Sequence, residues 1–322
     1  MPRRGFSSHL ATDVDDQAVN LTGWRQVYDQ LAPGRFAGSI HELWVGNMQI
    51  FHETTSHGLR QSCVVDSASW WFGIPMARAE GCKLDSFAMG EDTIAMRPGR
   101  SQFELLTPNN FEILGVVVNR RDLEQHIQAL NQSSVLPTAM RDELLKVKPF
   151  QRMRLQELVY QILEEASRTP EIIANPSSSE SIRVAVLDAL ADVCSTHETT
   201  GRPSYRQMSH YKIVREVQQH LLQNQDETIG VVDLCQRFAI SRRTLQYAFQ
   251  DVMGMSPNAY FRTIRLNGVR RRLRDPKSGV MSVHQAAADW GFWHLSQFAR
   301  DYQGLFGELP SERLKRRSTV AS

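Results

Sequence analysis

The strongest constraint on this chain is that one part of it occurs twice. Residues 231–257 and 284–310 follow a single pattern. Cys235 aligns with Ala287 and Ala239 with Gly291 at an offset of 52 residues. Leu245 aligns with Phe298, Phe249 with Tyr302, Gly254 with Gly307 and Pro257 with Pro310 at an offset of 53. One extra residue therefore sits in the turn of the second copy. Each copy reads as a short helix, a tight turn and a second helix. Small residues stand where two helices must touch. Apolar residues recur every fourth position on the inner face of the second helix. Gly and then Pro mark the end of one helix and the start of the next. This is the pattern of a helix-turn-helix, whose second helix enters a major groove about 12 Å wide. Met once, the pattern is weak; met twice with matching ends, it is specific.

The outer face of the first recognition helix carries Arg242, Arg243, Gln246 and Tyr247. That of the second carries His294, Leu295, Ser296, Ala299 and Arg300. Arg pairs bidentately with guanine and Gln with adenine, each good pair discriminating by about 1–3 kcal/mol. Between the copies, residues 258–274 read as one helix bearing Arg262, Arg265, Arg270, Arg271, Arg272 and Arg274. Arg265 and Arg271 are candidate phosphate contacts, with a solvated basic face the alternative for any one of them. The charge distribution agrees. Residues 205–322 hold 18 of the 37 Lys and Arg but 10 of the 35 Asp and Glu, a net of +8, which leaves −6 for residues 1–204. A basic end on an acidic remainder suits a polyanionic partner, here double-stranded DNA.

The remainder needs a different fold. A chain of 322 residues makes about two domains. With 41% hydrophobic and 22% charged residues it is neither disordered nor collagen-like. Residues 1–20 read as a polar, flexible arm. Residues 22–31 suggest a short helix, with Trp24, Val27, Tyr28 and Leu31 on one face. From 33 to 118, candidate strands at 39–45, 48–53, 60–65, 69–73, 93–96, 102–107 and 111–118 alternate with turn residues. An antiparallel barrel or sandwich is the expected result, with a cupin-like barrel the choice between them. Beyond Arg120 the period becomes helical. Leu155, Leu158, Val159, Ile162 and Leu163 form one stripe; Ile182, Ala185, Val186, Ala189, Leu190 and Val193 form another. These stripes either pack on their own domain or meet a second copy in a homodimer. The expected fold class is thus α+β. The order is a flexible arm (1–20), an effector-sensing β-barrel (21–137), a helical dimerisation segment (138–194), a linker (195–209) and an all-α double helix-turn-helix domain (210–322).

The run Trp290-Gly291-Phe292-Trp293-His294-Leu295-Ser296-Gln297-Phe298-Ala299-Arg300-Asp301-Tyr302, closed by Phe306-Gly307 and Leu309-Pro310, resembles the AraC/XylS family of transcriptional regulators. Tyr302 replaces a commoner Phe, and Arg313-Leu314 stands where a Tyr-Arg pair is usual. The resemblance implies two recognition helices in successive major grooves, about one helical turn apart. It also implies an activator working with RNA polymerase. Separately, scattered cysteines, Asp13, Asp15 and Asp16 where a signal peptide would be apolar, and short apolar runs make a cytoplasmic protein the expectation. Residues 22–36, Leu59-Arg60-Gln61-Ser62-Cys63, Trp71-Phe72-Gly73-Ile74-Pro75, Arg97-Pro98-Gly99 and Ile264-Arg265-Leu266-Asn267 are similar to the ethanolamine-operon regulators within that family. That likeness implies ethanolamine and adenosylcobalamin as effectors and amine-utilisation genes as targets.

Trp44, Trp70, Trp71 and Phe72 lie in or beside candidate strands, with Asp66 and Glu53 as counter-charges. They read either as ordinary core or as an effector pocket, since aromatic faces hold an ammonium group with about 0.5–2 kcal/mol. An enzyme using the barrel, with an accessory DNA-binding domain, is the competing class. No catalytic constellation supports it: His52 and His57 are five apart rather than four, no nucleophile elbow or phosphate loop occurs, and the Asp-x-His-x-x-Gly corrinoid signature is missing. Cys63, Cys82, Cys194 and Cys235 form no CxxC pair, and no apolar run approaches the ~20 residues that span a bilayer.

Overall fold

The computed structural model describes residues 5–76, 80–131, 144–196, 198–199, 204–225, 229–279 and 282–320. The chain divides into two compact units. One comprises Met1–Tyr28 with Phe36–Arg202, the other Asp29–Arg35 with Pro203–Ser322.

The first unit is built on strands β1 (Gly5–Ala11), β2 (Trp24–Gln30), β3 (Gly38–Val45), β4 (Met48–Thr55), β5 (Leu59–Val65) and β6 (Ser69–Pro75). They are followed by β7 (Lys83–Leu84), β8 (Phe87–Ala88), β9 (Thr93–Pro98), β10 (Gln102–Thr107), β11 (Phe111–Asn119), β12 (Leu144–Lys146) and β13 (Glu198–Thr199). Helices α1 (Val14–Val19), α2 (Arg120–Asn131), α3 (Pro149–Arg168) and α4 (Pro176–Thr196) accompany them. The strands form two sheets, ordered β1-β3-β4-β11-β6-β9-β12-β13 and β2-β5-β10-β7-β8. Side chains alternate between the two faces of a strand, so each sheet feeds two environments. Leu43, Ile50, Phe72, Met96 and Leu114 point to the face covered by Leu123 and Ile127 of α2, Leu155 and Val159 of α3, and Leu187 and Leu190 of α4. Their neighbours Ile40, Phe51, Trp71 and Ile113 point the other way, onto Tyr28, Cys63 and Phe103 of the smaller sheet.

The seven strands expected between 33 and 118 are all present, within two residues at either end. Four expectations are corrected. No pairing among the described residues closes either sheet into a ring, so among them the first unit is two sheets with helices on one face rather than the expected barrel. Residues 1–20 are not a flexible arm from Gly5 onward. β1 pairs with β3 along its whole length, and α1 is capped by Asp13, whose carboxylate accepts from Asp15 N. β1 lies at the sheet edge and carries Ser and His, so its alternation is hidden. Where a helix was expected over 22–31, Trp24–Gln30 form β2: Val27 faces solvent while Trp24, Gln26 and Tyr28 turn inward at period two. The linker is shorter than 195–209, because α4 runs to Thr196, β13 pairs with β12, and Ser204 caps the next helix. Residues 132–143, which include the start of the expected dimerisation segment, lie outside the described residues.

The second unit is helical: α5 (Tyr205–Gln223), α6 (Val231–Arg237), α7 (Arg242–Met253), α8 (Pro257–Arg274), α9 (Val283–Ala288), α10 (Leu295–Phe306) and α11 (Pro310–Val320). α6–α7 and α9–α10 are the two copies of the repeat.

Candidate nucleic-acid interface

The aligned positions of the repeat play matching conformational roles. Both turns pass through the left-handed region at the aligned residues Ala239 (φ 51°) and Gly291 (φ 73°). Both recognition helices end on a left-handed cap at Gly254 (φ 70°) and Gly307 (φ 66°). Gly adopts this backbone without the steric cost a Cβ brings, which is why it recurs there. Pro257 and Pro310 each open the following helix, at a position where the missing N–H has no partner to lose. Inside, Leu245 and Phe249 are buried, with Phe249 tilted against Tyr260 at 5.3 Å and edge-on to Phe261 at 5.5 Å. Their counterparts Phe298 and Tyr302 are buried at 5.7 Å from each other, and Tyr302 meets Phe306 at 4.7 Å.

With those residues inward, the outer faces follow. Arg242, Arg243, Gln246 and Tyr247 are all exposed on α7. Arg243 donates to the Tyr247 hydroxyl from Nε (3.2 Å) and Nη2 (3.0 Å), which stiffens a long side chain. His294, Leu295, Ser296 and Arg300 are exposed on or beside α10, and Ala299 is half-buried. Arg300 donates to Gln297 Oε1 at 2.9 Å, and Gln297 donates to Asp301 at 2.8 Å. The two helices differ at their starts. Ser241 caps α7 by accepting from Thr244 N, whereas His294 opens α10 without a side-chain cap. Trp293 beside it is 68% exposed. Sequence reasoning passed over Trp293, because a Trp in an amphipathic pattern reads as core.

The arginines of α8 are mostly tied to carboxylates. Arg262 pairs with Asp301 at 3.5 Å and Arg272 with Asp289 at 2.5 Å. Arg271 pairs with Asp29 at 2.9 Å. Arg270 is buried with Glu308, at 4% and 5% exposure, and its guanidinium lies 4.6 Å from the Phe306 ring centre. Arg316 pairs with the same Glu308 at 2.9 Å. Arg265 is half-buried, and that burial lowers its pKa. The basic helix is thus largely internal wiring. Spacing could not disclose this, since the carboxylates come from other elements and loops: Asp29 from β2, Asp301 from α10, Asp289 and Glu308 from between helices.

The five effector-pocket candidates are not brought together. Trp70 and Phe72 belong to the helix-facing core, while Trp71 faces the other sheet, stacked on Phe103 at 4.7 Å. Trp44 donates to Glu42 at 3.0 Å, and Asp66 is a surface partner of Arg25. What the inter-sheet space does hold is buried carboxylate. Glu53 accepts from Gln17 Nε2 (3.0 Å) and the Tyr28 hydroxyl (3.1 Å), and burial lifts its pKa to about 7. Glu42 accepts from Thr22, Trp44 and Gln49. Among the described residues no three His, Cys, Asp or Glu side chains are placed to hold a metal ion. No described helix is long and apolar enough to cross a membrane.

Residues 234–316 match the family described as helix-turn-helix domain. XylDLEGF operon transcriptional activator 1 of Pseudomonas putida is 36% identical over 117 residues, 36% of this chain and 33% of that protein. A Rhodococcus erythropolis protein described as a probable thc operon regulatory protein is 23% identical over 209 residues, 65% of this chain and 63% of its own. A solved structure described as a probable AraC family transcriptional regulator from Rhodopseudomonas palustris shares 37% identity over 33% of this chain and 97% of that one, with a TM-score of 0.31. The chain thus spans about a third of the length of the first curated relative. By fold, the second unit carries a double helix-turn-helix. Residues 234–316 match a helix-turn-helix domain family, and the curated relatives bear the names of regulators.

Proposed function

We propose that the chain is a sequence-specific DNA-binding transcriptional regulator, acting as an activator through RNA polymerase. The observation that carries this reading is the pair of recognition helices with matched turns, caps and cores and with polar, basic outer faces. Arg242, Arg243, Gln246 and Tyr247 read one major groove; His294, Leu295, Ser296, Ala299 and Arg300 read the next. Arg265 and Arg271 reach phosphate, Arg271 while its Nη1 stays on Asp29. The test is selection of duplexes from a random pool by the full chain. An enriched site with two half-sites about one helical turn apart is expected. A pool that never enriches refutes the reading.

The first unit is the effector sensor and the dimerisation unit. Exposed Phe150 (58%) and Met153 (63%) on α3, and a groove of 420 Å³ lined by Leu158, Gln161, Ala185 and Asp188, offer α3 and α4 to a second copy. Ethanolamine acting with adenosylcobalamin, switching amine-utilisation genes, is the effector assignment. Its support is the likeness at 71–75 and 97–99 together with a buried carboxylate suited to a small cation. Moving a two-state switch from 1:99 to 99:1 takes about 5.5 kcal/mol of preference, which favours a second, larger co-effector beside so small an amine. A promoter fusion exposed to each compound singly and together decides this. Activation only by an unrelated metabolite removes the assignment and leaves the DNA reading intact.

A further inference from the structure

Seven residues from near the start of the chain, Asp29–Arg35, fold with the DNA-binding unit. Their attachment is specific. Asn267, buried in α8, holds Gln30 by both ends of its carboxamide: Oδ1 accepts from Gln30 N at 2.9 Å, and Nδ2 donates to Gln30 O at 3.0 Å as well as to Thr263 O at 2.9 Å. One turn further along α8, Arg271 Nη1 meets the carboxylate of Asp29, which is 1% exposed. The other end of the segment holds the second recognition helix. Gly34 N and Gln30 Nε2 both donate to Leu305 O at 2.9 Å, and Arg35 Nε donates to Gly307 O at 3.0 Å. The last carbonyls of a helix have no partner within it. The segment supplies partners at the end of α10 and is at the same time fixed to α8. Gln30 Nε2 also donates to Ala32 O and Gly34 O, at 2.8 and 2.7 Å, which holds the segment in a closed loop.

α8 is the element between the two helix-turn-helix copies, and Phe249 of α7 already packs on its Tyr260 and Phe261. A tie from α8 to the end of α10 therefore bears on how the second recognition helix stands relative to the first. We propose that Asp29–Arg35 is a strap that sets the placement of α10 against α8, so that both recognition helices meet successive major grooves in register. Asp29, Gln30 and Asn267 are then positioning residues for DNA reading, although none faces the groove. The proposal rests on the double helix-turn-helix reading DNA as described above.

The test compares full-length wild type with Asp29→Asn, Gln30→Ala and Asn267→Ala on duplexes selected by the wild type. Each protein is measured on the paired site, on an isolated half-site, and on paired sites with a few base pairs inserted between the halves. The expected result is unchanged half-site affinity, a loss of about tenfold on the paired site and a flattened spacing preference, the size of an ordinary coupling between sites. Should Asn267→Ala fail to fold, the other two variants decide, since both keep the buried Asn267. Paired-site affinity and spacing preference kept within about twofold overturn the strap, and so does an equal loss on paired and isolated sites, which marks a merely structural role. If the wild type enriches no sequence, it is the DNA reading that fails.

Discussion

Gly268 sits in the middle of α8, where a Cβ would lie 2.1 Å from Cζ2 of Trp290. Ala ordinarily gains about 1 kcal/mol over Gly inside a helix. Here the steric cost reverses the sign: Gly268→Ala is expected to lose about 1–3 kcal/mol, as overpacked cores do. A lower urea midpoint at unchanged m checks this, with partial recovery when Trp290→Leu is added. Glu53 gives a second prediction at this scale. Burial raises its folded-state pKa to about 7 from an ordinary 4.5. Between those values the folded state binds the proton and the unfolded state does not. Stability from this group is therefore complete below about pH 4.5 and falls as pH rises to about 7, by about 3 kcal/mol. Glu53→Gln mimics the protonated form and should flatten that slope in pH-dependent melting. A slope surviving the change assigns it to another group.

α3 shows how one stripe serves two purposes. Leu155, Val159 and Leu163 are buried in the unit's own core, whereas Leu158 and Ile162 are only partly covered. The stripe read from sequence as Leu155, Leu158, Val159, Ile162 and Leu163 therefore divides. Leu155→Ala should cost about 2–5 kcal/mol, as large-to-small core changes do. Leu158→Glu with Ile162→Glu should instead leave a folded protein that sediments as a monomer. A surviving dimer moves the interface away from α3. The recognition helices carry the other element-scale prediction. Gln246→Ala in α7 and Arg300→Ala in α10 should each narrow the ratio of selected to random DNA affinity by about tenfold or more, as expected for lost base contacts. Arg265→Ala should weaken both DNAs alike, as a phosphate contact does. An unchanged ratio for Arg300→Ala misplaces the face of α10.

Across the whole molecule, net charge is only +2, yet residues 205–322 carry +8. DNA affinity of the full chain should fall linearly in a log–log plot against salt, with a slope near −0.9 for each phosphate neutralised. Because Arg262, Arg270 and Arg272 are occupied by Asp301, Glu308 and Asp289, the slope should fall well short of the 18 basic residues of that segment. A slope near that full count would show the internal pairs opening on DNA, and a flat response would remove the phosphate contacts altogether.

The repeat, its caps, its inward residues and its outer faces were legible in the sequence. Local periodicity and the backbone demands of Gly and Pro write them within a few residues of one another. The strands from 39 to 118 were legible for the same reason. The sequence misled where local signals conflicted. Trp24, Val27, Tyr28 and Leu31 fit a helical spacing, and only pairing in the smaller sheet made the first three β2. Sheet closure and the partners of buried charge are set by strands and loops that meet from far apart in the chain. Nothing local to Arg270 names Glu308, and nothing local to Asn267 names Gln30. Those pairings arise when hydrophobic burial brings the elements together and each buried polar group must find a partner. Tertiary structure alone decided them.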